Sequence, residues 1–286
     1  MTGRIVVGID GSEESGAALE WAIARAQLGG EQLELINTYN HVIQMDFFGY
    51  RGLSDGSMEW MVQLSQEVLA AAQARVRDLA PGVECSTKSV PGHPSPVLIA
   101  ASEGAAMVVV GRRGLGGAAS ALLGSVSNRI TVESQCPVVV VGHDGVPSDG
   151  PIVVGVDGSE FGAEALRFAI AEAALRRTSV RAVAAYGTVH PAIGADPELV
   201  ARMRAELDAE TEDTITEGVG DVTVTVERVA AEGPAADAIL EHARDAQLVV
   251  VGSHGKGLVR RVLLGSVSRA VLNDADRPVA VVDVPH

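Results

Sequence analysis

A chain of 286 residues is long enough for about two domains of ~150 residues each. Its 47% hydrophobic share builds ordinary packed cores, and only 3% aromatic residues makes those cores mainly Val, Ile, Leu and Ala. The net charge of −15, with 9 basic and 15 acidic residues before Pro147 and 13 and 22 from there on, argues against nucleic acid or an anionic membrane as a partner and leaves backbone amides as the means of holding an anion.

The chain enters a strand at once with Arg4-Ile5-Val6-Val7, which leaves no room for a signal peptide. No apolar run approaches the ~20 residues needed to cross a bilayer. The expectation is a cytoplasmic protein. Short Val/Ile runs at Ile5–Ile9, Leu33–Asn37, Thr87–Val90, Met107–Val110 and Val138–Val141 predict strands. Longer segments with helical spacing lie between them, at Glu13–Leu28, Ser57–Leu79, Pro96–Glu103 and Ser125–Glu133. On the second of these, Met58, Met61, Val62, Leu69, Val76 and Leu79 recur near one face. Apolar strands without alternation imply burial on both sides, hence a parallel sheet flanked by helices. Right-handed crossovers make that a doubly wound, Rossmann-like sheet with its ligand at the carboxyl ends of the strands.

The pattern then starts again. Residues 6–26 and 153–173 are identical at 13 of 21 positions, and residues 107–141 and 248–282 at 16 of 35. The chain is therefore a tandem repeat of one α/β domain, expected as 1–147 and 148–286. The linker Gly142–Gly150 is dense in turn formers. Copy 1 carries six extra residues, which the glycine-rich loop Asn40–Ser57 with Phe47, Phe48 and Tyr50 accommodates. Cys85 and Cys136 are the only cysteines, too few for a disulfide framework, and are expected to be structural thiols.

Each copy repeats one glycine pattern, Gly-x₂-Gly-x₉-Gly-Ser, directly after a buried strand: Gly111, Gly114, Gly124, Ser125, and Gly252, Gly255, Gly265, Ser266. Closely spaced glycines between a strand and a helix let backbone amides and the helix dipole converge on phosphate. Asp10 and Asp157 follow the first strand of each copy. Either they cap the next helix, in competition with Ser12 and Ser159, or they face a nucleotide or its Mg²⁺. There is no Gly-x₄-Gly-Lys-Ser/Thr, no Gly-x-Gly-x₂-Gly after the first strand and no Gly-x-Ser-x-Gly, and the seven histidines lack metal-ligand spacing.

The strand-Gly-x-Asp start, the glycine signature and the closing Pro-Val-x-Val-Val strands (Pro137–Val141, Pro278–Val282) resemble the universal stress protein family in its tandem, ATP-binding form. The resemblance covers both halves. It implies five parallel strands in the order 3-2-1-4-5, with Gly8 and Asp10 beside the adenosine, Thr38 and Val90 flanking the base, and Gly111, Arg112, Arg113, Gly114, Leu115, Gly116, Gly117, Gly124, Ser125 and Val126 around ribose and phosphates. In copy 2 it implies Gly155, Asp157, Ala185, Ala231, Gly252, Ser253, His254, Gly255, Lys256, Gly257, Leu258, Gly265, Ser266 and Val267. The expected cofactor is ATP with Mg²⁺ held through its phosphates, near Asp10 or Asp157. Copy 2 carries Lys256, Arg260 and Arg261 where copy 1 has Gly117–Ser120, so the two sites are expected to differ in affinity.

The resulting reading is a nucleotide-dependent stress-response module with no convincing general base or transition-state arginine, and at most slow hydrolysis. Three alternatives stay open: an ATPase or a protein autophosphorylating on Ser125 or Ser266, an interaction protein with a structural nucleotide, and a cyclic AMP binder. The closing strands, apolar and last in each copy, are expected to pair antiparallel and so protect each other's edges as a pseudo-dimer of domains. Homodimerisation of whole chains is a further expectation.

Overall fold

A computed structural model describes residues 3–39, 45, 46, 49, 50, 55–114, 123–142, 149–186, 198, 201, 202, 205, 209, 223–255 and 263–284. Phe47, Phe48, Leu115, Gly116, Gly117, Ser120, Lys256, Gly257, Leu258, Arg260 and Arg261 lie outside the described residues, as does most of the linker. The chain divides into two compact units, Met1–Cys136 and Pro137–His286.

The first unit runs β1 (Arg4–Gly8), α1 (Glu13–Gly29), β2 (Gln32–Tyr39), a small antiparallel pair β3 (Met45–Asp46) and β4 (Gly49–Tyr50), α2 (Asp55–Leu79), β5 (Cys85–Pro91), α3 (Pro94–Ser102), β6 (Met107–Gly111) and α4 (Ser125–Glu133). Its strands lie parallel in the order β5-β2-β1-β6. The middle strands are buried along most of their length: Ile5, Val6, Val7, Val108 and Val109 are fully enclosed. Each such side chain contributes roughly 1.5–3 kcal/mol on leaving water, which explains why the strands read as unbroken apolar runs. Strand β5 is the exposed edge, so its apolar run understates its length, and β2 likewise extends to Tyr39. On α2 the buried face is narrower than its pattern suggests: Leu69 and Val76 are buried, while Met58 and Leu79 are exposed. Helix α3 begins two residues earlier than expected, because His93 caps it by accepting from the Ser95 N–H through Nδ1 and Pro94 fits the first turn.

The second unit opens with β7 (Val138–Val141), the closing strand of copy 1. It continues with β8 (Ile152–Gly155), α5 (Glu160–Arg176), β9 (Val180–Tyr186), β10 (Val226–Glu232), α6 (Ala235–His242), β11 (Leu248–Gly252), α7 (Ser266–Asp274) and β12 (Val279–Val282). The order is β10-β9-β8-β11-β12-β7, parallel from β10 to β12. Copy 2 thus has the 3-2-1-4-5 arrangement, and copy 1 has 3-2-1-4 with its fifth strand counted in the second unit. The last pair is antiparallel, with Val138, Val139 and Val140 opposite Val281, Ala280 and Val279. All these residues are buried, so the apolar closing strands cover each other as their sequence requires. The pairing also draws the break between compact units back to Cys136 from the linker.

Candidate functional site

At the carboxyl ends of β1, β2 and β6 the first unit encloses a cavity of about 380 Å³. Gly8, Asp10, Thr38, Gly111, Arg113, Gly114, Gly124, Ser125 and Val126 border it, all named from the sequence. In the second unit a cavity of about 720 Å³ lies at the same place in the fold, bordered by Gly155, Asp157, Ala185, Gly252, His254, Gly255, Gly265, Ser266 and Val267. Val90, Arg112, Ala231 and Ser253 do not border these cavities. Val90 lies on the edge strand, and Gly92, at the turn just after that strand, borders the cavity instead. The backbones of Arg112 and Ser253 hold the turns: their carbonyls accept from the Gly124 and Gly265 N–H groups at 2.9 Å, and the Ser253 N–H donates to the Val282 carbonyl at 2.7 Å.

The aspartates do not cap the helices. Ser12 caps α1, its Oγ accepting from the Ser15 N–H at 3.1 Å, and Ser159 caps α5 by accepting from the Gly162 N–H at 3.1 Å. Asp10 stands one step back and accepts through Oδ1 from the Ser12 N–H at 2.9 Å and its hydroxyl at 2.6 Å. Asp157 repeats the arrangement with Ser159 at 3.1 and 2.5 Å. The serine therefore locks the rotamer of the carboxylate that borders the cavity.

The glycines of the signature have different jobs. At Gly111 a Cβ would sit 2.8 Å from the Glu14 backbone, and at Gly252 2.9 Å from the Phe161 Cβ, so the first glycine lets α1 or α5 press onto the strand end. At Gly114 a Cβ would collide with the Asp10 Oδ2, and at Gly255 it would lie 2.6 Å from the Asp157 Oδ2. The second glycine thus leaves room for the carboxylate.

The third glycine is the N-cap residue of α4 or α7, and in both helices no side chain caps the terminus. The first helical bonds run from the Asn128 N–H to the Gly124 carbonyl and from the Arg269 N–H to the Gly265 carbonyl, each at 2.9 Å. The amides of Ser125, Val126 and Ser127 precede the first of these bonds, and all three residues border the cavity. This is the orphan-donor arrangement that suits an anion.

Three contributors are not named from the sequence. The Ser127 hydroxyl donates to the Gly111 carbonyl at 2.8 Å, and the Ser268 hydroxyl donates to the Gly252 carbonyl at 2.6 Å. Each ties its helix start to the strand end, and the signal was the repeated Gly-Ser-Val-Ser. Asn37, buried, donates from Nδ2 to the Ile9 carbonyl at 2.6 Å and borders the cavity beside Thr38.

The sequence profile of the Universal stress protein family matches residues 1–142 and 150–283. The chain belongs to this family. It is similar to a universal stress protein of Mycobacterium tuberculosis, 33% identical over 302 residues that cover 99% of this chain and 95% of the relative. One from Mycolicibacterium smegmatis is 36% identical over 288 residues, 97% of this chain and 96% of its own. Among solved structures, a universal stress protein from Archaeoglobus fulgidus matches with a TM-score of 0.73 at 22% identity, covering 98% of both chains, a likeness of fold. No helix among the described residues is long and apolar enough to cross a membrane.

Proposed function

We propose that this universal stress protein binds an adenine nucleotide in each half and acts as a nucleotide-dependent regulatory module rather than a committed catalyst. The observation that carries the reading is the repeated conjunction of an uncapped helix N-terminus, a glycine turn and a fixed carboxylate around one cavity. The helix start suits phosphate, and the apolar wall of Ile9, Ile36, Leu98 and Val110 suits a ring. Membership of the family and the match of both halves to its profile support the same reading.

Among the described residues no three His, Cys, Asp or Glu side chains converge as a metal site. A single carboxylate beside phosphates is nevertheless the usual setting for Mg²⁺, which keeps most of its waters. Mg²⁺ would then arrive with the nucleotide, with Asp10 and Asp157 as the nearest carboxylates. It would neutralise phosphate charge there.

Isothermal titration of the full chain with ATP, AMP and cyclic AMP tests the proposal. Two equivalents of ATP per chain are expected. Cyclic AMP displacing ATP at lower concentration would favour the cyclic-nucleotide alternative, and absence of binding by all three would sink the reading. Turnover well above ~1 s⁻¹ would instead make the protein an enzyme.

A further inference from the structure

The two cavities share a glycine turn and a helix start but differ in the residues that line the rest. In the first unit β1 lies between β2 and β6, so the cavity runs across the tip of β1 from the start of α4 to the end of β2. The end away from α4 is formed by β2 and the β5–α3 turn. Asn37 and Thr38 border it, with Pro94 at the turn. The same positions in copy 2 are Ala184, Ala185 and Ala235. Ser15, which borders the first cavity, is replaced by Gly162, which borders the second. Every one of these exchanges removes side-chain atoms, and three of the four remove a hydrogen-bonding group. The second cavity is the larger, about 720 Å³ against about 380 Å³, and part of that difference lies at the start of α7, where Leu263, Leu264 and Arg269 also border it.

Resting on the nucleotide reading above, we infer that the two sites differ in specificity: the N-terminal site takes a compact ring and reads it with Asn37 and Thr38, whereas the C-terminal site takes nucleotides with a larger, more apolar ring. Thr38 borders the cavity, and Asn37 is fixed by its bond to Ile9, so the N-terminal end has a set shape. Misfit there leaves polar groups unpaired, which discriminates strongly between ligands. At the C-terminal site the ring would meet Val183, Ala185, Ala235 and Ile239. An apolar wall with spare volume penalises an added hydrocarbon group little and gains from burying it.

The test is isothermal titration of the full chain with ATP and with N6-benzyl-ATP. Two ATP and one N6-benzyl-ATP are expected per chain. The benzyl ligand should bind within about tenfold of ATP at the C-terminal site and more than about a hundredfold more weakly than ATP at the N-terminal one. Gly255→Val should abolish binding of the benzyl ligand and Gly114→Val should leave it. Ala185→Leu, which fills the ring end without touching the glycine turn, should also abolish it and serves if a glycine variant does not fold. Equal binding of N6-benzyl-ATP at both sites, or its exclusion from both while two ATP bind, overturns the inference and leaves the nucleotide reading standing. Binding of ATP at neither site overturns that reading and this inference with it.

Discussion

Glu14 holds Arg113 twice, accepting from its backbone N–H through one carboxylate oxygen and from its guanidinium Nε at 3.0 Å through the other. Glu14 sits in the first turn of α1 and is almost buried, while Arg113 lies in the glycine turn at the edge of the cavity. Copy 2 makes the same junction with Phe161 and His254, whose rings stand 5.2 Å apart and tilted by 48°. An ion pair in one half is thus exchanged for a ring pair in the other, both members having changed together.

Removing one member should therefore cost more than exchanging both for the copy 2 pair. Glu14→Ala leaves a backbone amide and a guanidinium without their acceptor, and a loss of about 1–3 kcal/mol is expected. Glu14→Phe combined with Arg113→His should recover much of that loss by rebuilding the copy 2 junction. Urea unfolding of the single and double variants measures both. A double variant no more stable than Glu14→Ala would show that the two junctions are not interchangeable.

The signature glycines yield a sharper expectation. Because the Cβ itself meets the Asp10 carboxylate, Gly114→Ala should weaken nucleotide binding in the first unit nearly as much as Gly114→Val. Were the glycine needed only for a close approach of phosphate, the loss would grow with side-chain size. Asp10→Ala should lower affinity with little loss of stability, whereas Ser12→Ala should cost about 1 kcal/mol of stability through its lost cap. Titration alongside thermal melts separates these cases.

The repeat, the parallel sheet and the pairing of closing strands were legible because each rests on local pattern: buried runs such as Val108–Val110 and copies at fixed offset. The glycine turns were legible as a candidate site but not in their division of labour. That Gly111 admits α1 while Gly114 admits a carboxylate depends on how a helix and a turn pack 99 residues apart, as the Glu14–Arg113 pair shows. Val90 was placed at the base by resemblance, but the turn after its strand, at Gly92, borders the cavity. A position carried over by resemblance does not tell which residue of the strand or of the following turn reaches a cavity built from several elements.

Arg177 marks a place where copy 2 is strained and copy 1 is not. It ends α5 with φ 55° and ψ 46°, the left-handed conformation, and it is the sole non-glycine residue with positive φ among the described residues. The same position in copy 1 is Gly30, with φ 76°. A side chain there costs roughly 1–2 kcal/mol, and glycine gives back part of that by loosening the unfolded chain. Arg177→Gly should therefore stabilise the second unit by about 0.5–1 kcal/mol, read as a higher urea midpoint with unchanged slope. A lower midpoint would show that the arginine side chain makes a compensating contact.

Burial pushes the Cys136 thiol up to about 12, against smaller opposing effects from a backbone bond with Val108 and from the charge of Arg4. In the unfolded chain the same thiol ionises near its usual ~8.5. The folded state thus holds the proton more tightly, so its advantage is full below that pH and declines as pH rises toward 12. The decline cannot exceed about 1.4 kcal/mol per pH unit for one proton. Other groups also titrate in this range, so the quantity to measure is the difference in unfolding free energy between the natural chain and Cys136→Ala. That difference should be constant from pH 6 to about 8 and shift steadily against the natural chain above pH 9. A difference that stays flat to pH 11 would mean that the thiol ionises as readily in the folded protein as in the unfolded chain.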